Sequence, residues 1–249
     1  MKRRDSQADG MSAIRKAEHS RQARNGIHLD RCAIARRHWS AQPRATTRAL
    51  TGMTRRITRT PVRLHPEKTQ RLPMPDVEAI LRGADELIAS GGRTLLVKVL
   101  RGSRDKSVLK WKLERSPVYG YFRDLSNEEV LAKIDWLISH HLLRYEYDGR
   151  LPLLVYTEPG WEIERVTYAN ELFTKIAEAV KREDSDFDMS FLKDKNREVI
   201  TLLLHILELS GDARYIPLLK SWEKLDYKKV RQGIRRVISG LRDRKTIPT

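Results

Sequence analysis

Residues 126–161 read SNEEVLAKIDWLISHHLLRYEYDGRLPLLVYTEPGW, and this stretch decides the fold. Ser126 followed three residues later by Glu129 is a capping box, in which hydroxyl and carboxylate satisfy the first amides of a helix reciprocally. Val130, Ile134, Leu137 and His141 form one stripe of that helix, with Leu131, Ile138 and Leu142 beside it, and the stripe is its core face. His140 and His141 read as packing or helix-end residues rather than ligands. Leu143 to Tyr147 then alternates as a strand does. Asp148-Gly149 signals a tight turn, Pro152 delays re-entry to the ladder, and Leu153 to Thr157 returns. Pro159-Gly160 ends the return strand.

Upstream, Asp76 to Ala89 repeats apolar residues at helical spacing and stops at Gly91-Gly92. A second helix covers Arg93 to Leu100 and ends at Gly102-Ser103. A third, short one covers Asp105 to Leu113, and Pro117 and Gly120 mark a turn before Ser126. The order is helix, helix, helix, hairpin, which is the winged-helix arrangement. Downstream, Trp161 to Lys181 reads as a long helix. Asp184 to Asp188 is an acidic break, where a domain boundary is placed. Helices over Asn196–Leu209, Asp212–Leu225 and Asp226–Leu241 follow, and the last two resemble one HEAT-type helical unit. The fold class is mostly α with a small β-hairpin: a winged helix at 76–183, then a helical HEAT-like part at 184–249.

Lys and Arg number 49 against 33 Asp and Glu, a net charge of +16 in 249 residues. Such an excess implies a polyanionic partner, foremost nucleic acid. Residues 1–52 hold 12 Lys/Arg against 4 Asp/Glu, half of that net charge, with sparse apolar residues. They read as a disordered basic arm, although Met53 opens a well-patterned stretch and is an alternative start. Residues 53–75, with Pro61, Pro66, Pro73 and Pro75, form a basic linker or an arm lying on the next domain. The single Cys32 allows no internal disulfide and fits a reducing compartment. His28, Cys32 and His38 make a poor metal set, so neither metal nor cofactor is expected. No apolar run is long enough to span a membrane.

The ordered motifs Val99-Leu-Arg-Gly-Ser103, Val108-Leu109, Ser116 with Tyr119-Gly120, Leu125-Ser126, Leu142-Leu143 and Leu153 through Thr157-Glu-Pro-Gly-Trp161-Glu162 resemble the RQC domain. That domain is the winged helix following the motor in RecQ-family helicases. The layout over Met53–Arg242 resembles the small stand-alone RQC-minor-1 proteins. No phosphate loop or Asp-Glu-x-His motor motif is present, and the matching region lacks the four cysteines of the RecQ zinc module. The resemblance implies a non-enzymatic DNA-binding protein, cytoplasmic and nucleoid-associated, that grips duplex, junction or forked DNA mainly through phosphates. By that resemblance Arg101, Gly102, Ser103, Arg104 and Lys106 form one phosphate clamp. Ser116, Tyr119 and Arg123 form a second, and Arg144 and Arg150 place the wing. A transcriptional regulator would need polar base readers on the capped helix, where Asn127, Glu128, Lys133 and Asp135 are a poor set. A protein–protein adaptor using the C-terminal helices is the remaining alternative.

Overall fold

The computed structural model describes residues 58–66, 71–182 and 187–245. The readings made for the basic arm at 1–52, for His28, Cys32 and His38, and for most of the acidic break lie outside the described residues. The described residues all fall in one compact unit.

Helix α1, Met74–Asp85, starts just after Pro73, with Pro75 in its first turn where an amide has no helical partner to lose. The helix ends four residues earlier than the spacing predicts. Ala89 takes a positive φ of 55°, and its amide donates to the Leu154 carbonyl at 2.9 Å. The Leu154 amide in turn donates to the Gly91 carbonyl at 2.9 Å. The helix stops so that residues 89–91 can pair with the returning strand of the hairpin.

Helix α2, Arg93–Leu100, follows as expected. Helix α3 is shorter than predicted, Lys106–Lys110, with Asp105 as its N-cap. Lys112, at φ 55°, breaks it, and a single 3-10 turn, Leu113–Arg115, replaces its expected end. Helix α4, Asn127–Ser139, carries the complete capping box of Ser126 and Glu129. His141 leaves the predicted core stripe. It is exposed, at φ 57°, and forms the left-handed corner of a Schellman close. In that close the Leu142 amide donates to Leu137 and the His141 amide to Ile138.

Strands β1, Leu143–Asp148, and β2, Leu151–Tyr156, pair antiparallel with Leu143 opposite Tyr156 and Asp148 opposite Leu151. Pro152 sits inside β2 rather than before it, opposite Tyr147. It shares the parity of Leu154, whose amide and carbonyl face away from β1, so its missing N–H breaks no rung of the hairpin. The carbonyl of Arg150, of the same parity, accepts from the Thr60 amide at 3.1 Å.

Helix α5, Glu158–Lys181, begins three residues before the predicted Trp161, because Thr157 caps it and Pro159 fits its first turn. Gly160 permits this start, since a Cβ there would lie 1.9 Å from the Leu142 carbonyl oxygen. Helices α6, Arg197–Ser210, α7, Ile216–Leu225, and α8, Lys228–Lys245, complete the chain.

Two apolar cores result. The first joins Ile80, Leu81, Leu96, Leu100, Ile134, Leu137, Leu143 and Leu154 across α1, α2, α4 and the hairpin. The second joins Leu172 and Ile176 of α5 to Leu203, Leu207, Trp222, Ile234 and Leu241. Helix α5 serves both, since Ile163 packs against the first core and Tyr168 belongs to the second.

Where α1 meets α5, charge is buried. Arg82, on α1, donates to Glu171 at 2.6 Å and lies 3.9 Å from Glu164, with its guanidinium 4.0 Å from the Tyr168 ring centre. Glu164 is fully buried and neither carboxylate oxygen has a hydrogen-bond partner. Burial, with the charge of Asp85 adding to it, pushes Glu164 up to about 9. Burial likewise lifts Asp85 to about 6. Each group holds a proton in the folded state that it releases in the unfolded state at intermediate pH. Its favourable contribution is therefore complete below the ordinary carboxylate range and is lost as pH rises. We expect stability to fall from pH 5 to pH 8.5, with Glu164 alone accounting for a loss on the order of a few kcal/mol. Glu164→Gln should flatten that slope and raise stability most at the alkaline end, as read by urea unfolding at both pH values.

Candidate nucleic-acid interface

The end of α2 builds the first part of the surface. The Ser103 amide donates to Lys98 at 2.8 Å and the Gly102 amide to Val99 at 2.9 Å, a Schellman close with Gly102 at φ 72°. The Ser103 amide is thus committed to the fold, and its hydroxyl is the group left to meet a ligand while accepting from the Asp105 amide at 3.3 Å. Asp105 caps α3 and pairs with Lys98 at 3.1 Å. Its hydrogen bonds with Ser107, together with Lys98, pull its carboxyl down to about 2.

The carbonyls of Val99 and Leu100 receive the second part. The Gly120 amide donates to Val99 at 3.0 Å and the Phe122 amide to Leu100 at 2.8 Å. Gly120 is also left-handed, at φ 74°, and a Cβ on Gly102 would stand 3.1 Å from the Gly120 Cα. The two segments touch backbone to backbone. The set Arg101, Gly102, Ser103, Arg104 and Lys106 and the set Ser116, Tyr119 and Arg123 therefore share one surface.

Within it the side chains divide. Arg104, Lys106 and Arg123 are exposed, and Arg123 is steadied by an Nε bond to the Gly120 carbonyl at 3.3 Å. Arg101 is half-buried and donates Nη1 to Asn127 Oδ1 at 3.0 Å, which holds its guanidinium at the N-terminus of α4. Ser116 is buried, and its hydroxyl has no hydrogen-bond partner. Tyr119 packs against the first core beside Gly102. Arg144, opposite Val155 in β1, and Arg150, in the connection to β2, are exposed on the hairpin.

The aromatic residues of the hairpin face the protein. Tyr145 is half-buried against the first core, and burial of its hydroxyl pushes it up to about 12. Tyr147 donates to the Thr60 carbonyl at 3.1 Å. Trp136 is buried with His140 stacked on it at 3.7 Å, and Trp161 donates to Glu198 at 2.6 Å.

Two contributions lie outside the residues singled out as site candidates. Lys110, Lys112 and Arg115 are exposed between the two sets, with Leu109 and Trp111 among them. The signal was the alternation of cations and apolar residues in LKWKLER, hidden while the segment read as one continuous helix. From 101 to 123 there are seven Lys/Arg against Asp105 and Glu114. The other contribution is the segment 58–66. Arg59 lies over the Tyr147 ring at 5.0 Å, Arg93 donates to the Arg63 carbonyl at 2.9 Å, and the His65 amide donates to Asp135 at 2.8 Å. The segment is tied along the hairpin and brings exposed Arg59 and Arg63 with it. Asp135, fully buried, anchors it through a paired contact with Arg93 at 2.5 and 2.7 Å.

Among the described residues no three His, Cys, Asp or Glu side chains are grouped to hold a metal ion, and no helix is long and apolar enough to cross a membrane.

Three helices, a short 89–91 pairing and a two-stranded wing, with a basic surface at the helix ends, define a winged-helix protein. Residues 75–184 match the family model of the RQC domain. Residues 75–184 are thus an RQC domain, a winged-helix DNA-binding domain. No curated protein and no solved structure matches the chain.

The Gly102–Gly120 contact makes a direct prediction. Gly102→Ala forces a side chain into a left-handed residue against backbone and should cost about 1–3 kcal/mol of stability. Urea unfolding checks it, and binding to duplex measured where the variant is still folded should weaken because both basic segments shift. A variant as stable as the parent would show that the two backbones do not meet here.

Proposed function

We propose that the protein is a non-enzymatic DNA-binding factor of the stand-alone RQC type. It grips duplex, junction or forked DNA through phosphates rather than reading base edges. The observation that carries this is the fusion of two basic segments into one surface at the Gly102–Gly120 contact. Arg104, Lys106 and Arg123 supply exposed charge there, and the Ser103 hydroxyl supplies a small donor.

The character of α4 supports backbone gripping. A helix that reads bases needs polar side chains free to reach the groove. Here Asn127 is engaged by Arg101, Glu129 by the capping box, and Lys133 by Asp76 at 3.2 Å, while Asp135 is buried. Glu128 is exposed but would repel phosphate. At the N-terminal end of α4 the Arg101 guanidinium, held there by Asn127, is the group suited to a phosphate oxygen rather than to a base edge.

Fluorescence anisotropy on single strand, blunt duplex, fork and RNA at two salt concentrations tests the reading. Affinity for duplex or fork should drop by about 10³ or more between 50 and 200 mM salt. Arg104→Gln/Lys106→Gln/Arg123→Gln should weaken unrelated duplex sequences alike and lower the salt slope by roughly 0.9 for each phosphate no longer neutralised. Absence of binding at low salt would overturn the proposal, and strong preference for one duplex sequence would replace it with base readout.

A further inference from the structure

Helix α8 lies outside the RQC domain and, like α2, α3 and α7, has no acidic residue in its first turn. Helices α1, α4, α5 and α6 each place an acidic residue in the first turn, where it suits the positive end of the helix. Helix α8 has none there and carries Lys228, Lys229 and Arg231 instead. All three are exposed, as are Arg235, Arg236 and Arg242 further along. Asp243 is the single acid among the exposed positions described on this helix.

The opposite face explains why the helix persists. Ile234, Val237, Ile238 and Leu241 are buried in the second core, so packing rather than surface charge holds α8 in place. The surface charge works against it. Lys228 and Arg231 stand three residues apart, and Arg231 and Arg235 four apart, the spacings at which like charges meet and repel. Arg235 is relieved by Glu223 of α7 at 2.6 Å. A row of cations that disfavours its own helix has a physical purpose if a polyanion covers it.

We propose that the exposed face of α8 is a second phosphate-binding track for duplex DNA, separate from the RQC domain. The inference rests on the DNA-binding reading above. From Lys228 to Arg242 the face is about 21 Å long at 1.5 Å per residue. That length runs beside roughly six base pairs of duplex at 3.4 Å each, so several of the six cations reach phosphates in one pose. The face has no exposed aromatic or amide pair beyond Gln232 to read bases, so the contact is sequence-independent. It lengthens the bound DNA or holds a second segment of it.

The test uses the full chain. Lys229→Gln/Arg231→Gln/Arg236→Gln removes three charges from the track. Lys181→Gln/Lys193→Gln/Lys220→Gln removes three exposed charges elsewhere and serves as the control of equal net charge. Binding of a 30-base-pair duplex is followed from 50 to 200 mM salt. The α8 variant should lower the slope of log affinity against log salt by about two to three, and the control should leave it nearly unchanged. The free α8 variant should also unfold at a higher temperature than the parent, because the like-charge repulsion is gone.

Equal slopes for the parent and the α8 variant overturn the inference, as does an equal shift in the control. A lower unfolding temperature for the α8 variant contradicts the repulsion between its cations. Vesicles containing anionic lipid form a second arm: if the variant loses vesicle binding but keeps duplex binding, the partner class is wrong. If the parent protein binds no duplex at all, the DNA-binding proposal itself fails. If the parent binds and only the RQC-surface variant weakens, the α8 track alone fails.

Discussion

The arrangement depends on two carbonyls at the end of α2. Val99 accepts from Gly102 and from Gly120, and Leu100 accepts from Phe122. Those bonds end α2 and strap the chain entering α4 against it. Both glycines take left-handed conformations, and their backbones approach closely enough that a Cβ on Gly102 would stand 3.1 Å from the Gly120 Cα. Because the polar backbone atoms are paired with one another, the charged side chains on either side are left to face outward. The same geometry that closes the fold gathers the cations.

How much of this the sequence showed depends on distance along the chain. The α4 start was legible because a capping box lies within four residues. The hairpin was legible from alternation and from Asp148-Gly149. The start of α5 was misread because Thr157-Glu-Pro-Gly looks like a strand ending in a turn. It is instead a capped first turn whose glycine must pass the Leu142 carbonyl. Likewise His141 fits a helical stripe by spacing, yet it occupies the left-handed corner after the helix. Local propensity does not reveal which of two endings tertiary contacts select.

Contacts between distant residues were not legible at all. Gly102 meets Gly120, Arg93 meets Asp135, and Arg82 meets Glu171, pairs separated by 18, 42 and 89 positions. As single residues, Arg93 and Arg82 look like any other members of a strongly basic chain. One ties the 58–66 segment beside the hairpin and the other crosses between α1 and α5. Net charge therefore overstates the cations available to a ligand, since some hold the fold. Conversely, the candidate residues differ in kind: Gly102, Tyr119 and much of Arg101 shape the surface, whereas Arg104, Lys106 and Arg123 present charge on it. The Glu164 site adds that a basic, solvent-facing protein can still keep a carboxyl protonated where two helices cross.

The central claim is that DNA meets the surface made by the end of α2 and the segment before α4, not the exposed side of α4. Amide shifts followed by NMR during titration with a short duplex test it most directly. The account predicts the largest changes at Gly102–Lys106 and Gly120–Arg123, with α4 beyond its first turn little changed. Dominant changes at exposed and half-exposed α4 positions such as Glu128, Leu131 and Ala132, with the two glycine segments unaffected, would contradict it.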